Sequence, residues 1–197
     1  MKHRPQLRFL ARGSLLLAGF LSLWWMALRT PMLVALRVLE ETVSPAVISP
    51  NESGDWDVRI PVNDIHQEGS GLVRVNHIEF TMPRGDATLF TFSLPVFWAI
   101  MLAAGFDRSQ AWGLLWGTVA MAAIEVGLLF AAFEINGQSA IAHWHPANAW
   151  ETWWRQLAAY LVTGVLPFFA PILVAIVCSR ELRTGLVPRQ AKRAAAR

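Results

Sequence analysis

The feature that most constrains this chain is a series of long apolar runs almost free of charge. Ala87–Phe106 is 20 residues without a charge, Ala111–Phe133 is 23 residues with one, Glu125, and Leu157–Ser179 is 23 residues without one. At a rise of about 1.5 Å per residue, each can cross a hydrocarbon core of about 30 Å. Gly13–Leu28 is also uncharged. It spans only about 24 Å as a helix, but Leu7, Phe9 and Leu10 extend it, because Arg8 and Arg12 can snorkel to the headgroups. The runs do not alternate as barrel strands would, so helices are what satisfy their backbone groups in lipid. The expected fold is membrane all-α: transmembrane helices at 13–28, 87–106, 111–133 and 157–179, with a small external β-rich segment between the first two. No small-x-small site follows the first run, so it reads as an uncleaved anchor.

Composition agrees. The chain is 54% hydrophobic and 16% charged, where soluble domains carry about 25% charged residues. A disordered chain, a disulfide scaffold and most soluble enzyme classes are excluded. One cysteine, Cys178, leaves no intramolecular disulfide and no Cys-rich zinc site. Its place at the end of the last run, with no predicted base nearby other than His3, suits an inert thiol better than a nucleophile.

Orientation follows from where Lys and Arg stand. The segments 1–12, 107–110 and 180–197 hold 11 of the 17 basic residues, and with four spans all three lie on one side. That side is the expected cytoplasm, with both termini in it and segments 29–86 and 134–156 outside. Segment 29–86 carries five Arg against nine acidic residues. The basic tail lacks interleaved aromatics, so it reads as a lipid-headgroup anchor rather than a nucleic-acid patch.

Within 29–86, Met32, Leu33, Leu36, Leu39 and Val43 recur at helical spacing, with Arg37, Glu40 and Glu41 outside that stripe. A short amphipathic helix is expected, lying on the outer leaflet or extending the first span. Trp56, Val58, Ile60 and Val62 alternate with polar residues and predict a half-buried strand, at an edge or terminus because of Pro61. Asn63–Gly71 reads as a polar loop and Leu72–Phe80 as a second strand, with a third short extended piece expected near the entry to the second span. So small a sheet is marginal alone; its apolar face needs cover from the membrane, a helix or a partner.

Few residues suggest chemistry. Glu125 is the one ionisable side chain deep in a predicted span, a candidate functional group by default, against the plainer reading of an uncharged Glu hydrogen-bonded to a neighbouring helix. His143 and His145 share a face if extended, but no third ligand stands at a diagnostic spacing and no metal is expected; Trp144, Trp150, Trp153 and Trp154 around them suit an interfacial anchor. Gly113 and Gly117, then Ala120, Gly127 and Ala131, form a small-residue stripe for close helix contact, within the bundle or with a partner. Pro167 and Pro171 kink the last span and can line a cavity. No phosphate loop, Ser-His-Asp pattern or paired carboxylate appears, and no cofactor is called for.

Three stretches carry a family resemblance: Leu89-Phe90-Thr91-Phe92-Ser93-Leu94-Pro95-Val96-Phe97-Trp98, Tyr160-Leu161-Val162-Thr163-Gly164-Val165-Leu166-Pro167-Phe168-Phe169-Ala170-Pro171, and Ser179-Arg180-Glu181-Leu182-Arg183. With the anchor, external β-rich segment and three further helices, the chain resembles the exosortase H-associated membrane proteins over nearly its full length. The resemblance implies an accessory of a bacterial protein-sorting system in a Gram-negative inner membrane, a partner of the exosortase transpeptidase or its substrate, with no catalytic residue to carry over. The alternative from the residues themselves is a polytopic enzyme or small carrier using Glu125 and the kinked last helix. The expected partners are the lipid bilayer and another inner-membrane protein, the exosortase; no nucleic acid is expected.

Overall fold

The computed structural model describes residues 4–68, 71–105, 108–141, 148–180 and 182–183. Among these, four helical runs are long and apolar enough to cross a membrane: Phe9–Val43, Arg84–Ala104, Gln110–Ile141 and Ala149–Cys178. A three-stranded antiparallel sheet lies between the first two in sequence. The fold is the membrane all-α one expected, with its small β segment.

The first run is one long helix. Helix α1 (Arg4–Leu23) passes through a π-helical turn at Trp24–Leu28 into α2 (Arg29–Val43). Pro31 falls just after that wide turn, where the loosened ladder accommodates a ring that lacks an N–H. The amphipathic segment therefore extends the first span. The 35 residues of Phe9–Val43 would measure about 52 Å. That exceeds the hydrocarbon thickness, so the helix tilts strongly or leaves the bilayer. Pro45 ends it, after a last backbone bond from Ser44 to Glu40.

The sheet order is β1 (Val47–Pro50), β2 (Trp56–Glu68), β3 (Gly71–Met82). Asn51 builds the first turn: its Oδ1 accepts from the backbone N–H groups of Ser53 and Asp55 at 3.1 and 3.0 Å, and Gly54 supplies a φ of 82°. Both expected strands are present, and two expectations are corrected. The third strand precedes the others as β1, while the chain after Met82 enters a helix directly. The stretch expected as a polar loop is mostly strand, because β2 runs on to Glu68 opposite Gly71; the apolar Ile65 is as exposed there as the polar Asn63, so apolar–polar alternation does not mark it. Pro61 sits in the middle strand, yet β1 pairs only with Trp56–Arg59. Beyond Arg59 no strand pairs with that side of β2 among the described residues, and a bulge follows between Pro61 and Asp64.

Helix α3 (Arg84–Ala104) starts where Asp55 Oδ1 accepts from the Arg84 backbone N–H at 2.8 Å. Helix α4 (Arg108–Ile141) follows. Helix α5 (Ala149–Tyr160) opens on a capping box between Asn148 and Glu151. A second π-helical turn, Leu161–Val165, leads into α6 (Leu166–Cys178). There the Leu166 N–H donates to the Leu161 carbonyl, five residues back, which widens the helix just before Pro167.

The chain forms two compact units: Met1–Leu28 with Phe92–Ala123 and Phe168–Arg197, and Arg29–Thr91 with Ile124–Pro167. In the first, aromatic pairs join the helices: Phe20 with Trp98 at 6.0 Å, Trp24 with Phe92 at 6.0 Å, and Phe92 with Phe168 at 5.7 Å between ring centroids. Trp98 Nε1 donates to Thr118 Oγ1, and Gln110 Nε2 to Ser179 Oγ, both at 3.0 Å. In the second, Trp56, Val58, Ile48 and Met82 of the sheet form one core with Leu33 and Leu36 of α2, Ala87 and Phe90 of α3, and Leu129 and Phe133 of α4. The sheet's apolar face is thus covered by the chain's own helices.

Candidate functional site

Two of the small residues on α4 are used for packing within the chain. A Cβ at Gly117 would collide with the Phe97 ring of α3, and one at Gly113 would come within 2.7 Å of the Cys178 carbonyl oxygen. Glycine is what lets these helices approach so closely. Gly127 differs: a Cβ there meets nothing within 4 Å. Ala120 is half-buried. The stripe therefore splits into a packed part and an open part.

Glu125 stands midway along α4, 5% exposed. Pro167 and Pro171 are fully buried. His143, Trp144 and His145 lie outside the described residues, so the structure does not bear on that pair. Among the described residues, no three His, Cys, Asp or Glu side chains gather closely enough to hold a metal.

Sequence reasoning missed Glu40. Helical spacing puts it outside the apolar stripe, yet it is 0% exposed, on the same face as Leu33 and Leu36. Both carboxyl oxygens are buried without a hydrogen-bond partner among the described residues, and so is Arg37 Nε one turn earlier. The apolar Val34, Val38, Leu39 and Val43 face outward instead. The outward face is mixed, since Glu41 and Thr42 are exposed beside these apolar residues. The weak periodicity hid it: α2 has apolar residues on both faces, so spacing alone cannot say which face is covered.

Two concavities lie among the described residues. One, of about 480 Å³, is an apolar groove in the first unit, lined by Leu21, Ser22, Trp24, Trp25, Met26 and Phe92. The indole N–H of Trp24 is buried beside it without an acceptor among the described residues. The other, of about 470 Å³, lies on the polar face of the sheet between Ser49, Asp57, Arg59, Glu79 and Thr81. Its groups largely satisfy each other. Arg59 Nε donates to Glu79 Oε1 at 2.6 Å, His77 Nε2 lies 3.3 Å from the same oxygen, and Thr81 Oγ1 donates to Asp57 at 2.9 Å. Such exposed pairs contribute about 0–1 kcal/mol each. They leave no concentrated charge to draw an ionic ligand.

The model of one family, described as exosortase H-associated membrane protein, matches residues 3–182. The chain belongs to that family. As a family member it is a membrane protein associated with an exosortase, and its four apolar helices agree. No curated protein and no solved structure matches the chain.

Proposed function

We propose that this chain is a non-catalytic accessory of an exosortase-type sorting system, seated in a bacterial inner membrane with both termini in the cytoplasm. It packs beside the sorting transpeptidase or its substrate. The observation that carries the reading is the family match over residues 3–182. The first helix supports it. Only 6% of its most apolar stretch is buried within the chain, which leaves a long apolar flank for lipid and for a partner helix. The Lys and Arg asymmetry supports the orientation.

The direct test is co-purification in mild detergent from the native host, with crosslinking before extraction. Exosortase is expected in the eluate; a chain that emerges alone under both conditions rejects the reading. Glu125→Gln separates the accessory from an enzyme or carrier. It keeps shape and hydrogen-bonding capacity, so sorting is expected to survive. Complete loss at normal protein level and topology rejects a non-catalytic role.

A further inference from the structure

Helix α5 has no buried residue, yet it carries three tryptophans, Trp150, Trp153 and Trp154, that are 64%, 49% and 47% exposed. Their rings form one cluster. Trp150 stacks on Trp153 at 5.4 Å between centroids, and Trp154 meets Trp153 at 4.8 Å and Trp150 at 5.5 Å, edge to face. At helical spacing the three share a stripe with Leu157 and Leu161, while Glu151, Thr152, Arg155 and Gln156 take the other side. The capping box of Asn148 and Glu151 fixes where the helix starts, and so where the indoles stand.

We propose that this tryptophan face seats in the phospholipid headgroup layer, with its N–H groups donating to ester and phosphate oxygens, and thereby sets the depth of the last span. Continuity with the lipid-facing flank of the same helix selects lipid over a protein partner. The run Ala149–Cys178 has 30 residues, about 45 Å of helix, which matches a bilayer with both headgroup layers. From Leu161 to Val177 every exposed residue is apolar or Gly164, and the next exposed residue is Arg180. The indoles and Arg180 therefore bracket the apolar stretch from opposite ends, as interfacial Trp and basic side chains do. Helix α4 makes the same transition: its exposed residues are apolar or Gly127 from Trp112 to Phe130 and polar from Glu134 to Ser139. The π-helical turn Leu161–Val165 adds a third argument. It bonds five residues back, so it takes up one residue more than an α-turn. At about 100° per residue, an unbroken α-helix would turn Phe169, Leu173 and Val177, the most exposed residues of α6, about 100–180° away from Trp150. Taking out one residue's rotation brings them to within about 0–80° of it. A contact confined to α5 needs no such alignment, whereas a lipid surface along the whole span does. The inference goes beyond the accessory reading and does not rest on it.

The test uses the full chain with Cys178→Ser as background and Trp153→Cys as the labelling site. In native membranes, a benzophenone on that cysteine is expected to attach phospholipid on illumination, identified by mass. A discrete protein adduct, or no lipid adduct, overturns the proposal. In vesicles of phosphatidylethanolamine and phosphatidylglycerol, a fluorophore on the same cysteine should be quenched about threefold more by a nitroxide at the headgroup than by one near the acyl-chain end. Deep quenching as strong as shallow, or quenching by aqueous iodide alone, overturns it. Depth-setting has its own readout. Changing Trp150, Trp153 and Trp154 together to Ala should alter the maleimide labelling rate of Arg183→Cys about threefold or more as the span slides, and changing all three to Tyr should restore it. An unchanged rate with the Ala variant at normal protein level overturns the depth-setting role. Exosortase co-purification is scored separately, so the two readings fail independently.

Discussion

Two membrane helices of this chain live in different surroundings. In α3, 61% of the most apolar stretch is buried, and in the long first helix 6% is. Helix α3 covers Phe90, Phe97, Thr91 and Ser93 almost completely. Two of its hydroxyls turn back to their own helix, Thr88 Oγ1 to the Arg84 carbonyl at 2.6 Å and Thr91 Oγ1 to the Thr88 carbonyl at 3.0 Å. The first helix shows its surroundings large apolar side chains, with Leu15, Leu23, Trp25 and Met26 all exposed. Hydropathy says that both leave water. It does not say whether a side chain enters protein or lipid, and the two cost very different amounts to change.

The largest expected effect is at the α3–α4 contact. Phe97→Ala removes a fully buried ring and should destabilise by about 3–5 kcal/mol. Gly117→Ile forces a branched side chain into that ring and should lower folded yield at least as far. Gly127→Ile, in open space, should leave thermal unfolding in mild detergent nearly unchanged. Equal losses for Gly117→Ile and Gly127→Ile would break the contrast between packed and open helix faces.

The next effect maps where the first helix leaves the membrane. An arginine at Leu23, exposed and inside the apolar run, should cost about 2.5–3.5 kcal/mol on insertion scales if it meets lipid at depth. Val43→Arg, exposed at the far end, should cost much less. Glycosylation-based insertion assays along Leu23, Val34, Val38 and Val43 give the profile. A uniformly low cost would mean that the exposed flank is already shielded from lipid by another protein.

These contrasts also show what the sequence carried. The spans at 87–106 and 157–179 were legible because an uncharged run of 20 or more residues has few other uses, the one at 111–133 because Glu125 is its single charge, and the first because Leu7, Phe9 and Leu10 extend a shorter uncharged run. The strand at Trp56–Val62 was legible because one of its faces is covered and cover enforces alternation, and Leu72–Phe80 because its residues are rich in strand formers. The extension of β2 to Glu68 was not, since the apolar Ile65 and the polar Asn63 are both exposed there and leave no alternation to read. Glu40 was hidden for a related reason. Reading polar as outside assumes water outside, and along α2 Val34, Val38, Leu39 and Val43 are exposed beside Glu41 and Thr42, while Glu40 is buried. Gly113 and Gly117 were visible as small residues, but only the Phe97 ring and the Cys178 carbonyl above them say that they are spent on the chain's own packing.

Glu40 gives a smaller and oppositely signed effect. A buried carboxyl without partners costs free energy that an apolar side chain of similar volume does not. Glu40→Met should therefore raise stability by about 1 kcal/mol or more, since methionine fits irregular cores. Thermal unfolding of the full chain in detergent checks this. If Glu40→Met instead lowers stability, the carboxyl has a partner in the assembled protein, and Arg37 with its buried Nε is the first residue to exchange in a double-mutant cycle.

The smallest effect on stability is the most informative about association. Trp25 and Met26 are 64% and 84% exposed, so truncating either to Ala removes little packing and should change stability by less than about 0.5 kcal/mol. The same residues wall the apolar groove of the first unit, and an exposed tryptophan is among the side chains that most often anchor a protein contact, where truncation can cost 2 kcal/mol or more. If the first helix faces only lipid, Trp25→Ala and Met26→Ala leave both stability and exosortase co-purification unchanged, because one apolar surface is replaced by another in the same solvent. If a partner helix lies there, stability stays flat while recovery of the exosortase falls by about thirtyfold for a loss of 2 kcal/mol. Measuring both in one preparation separates lipid from protein as the surroundings of the less buried helix.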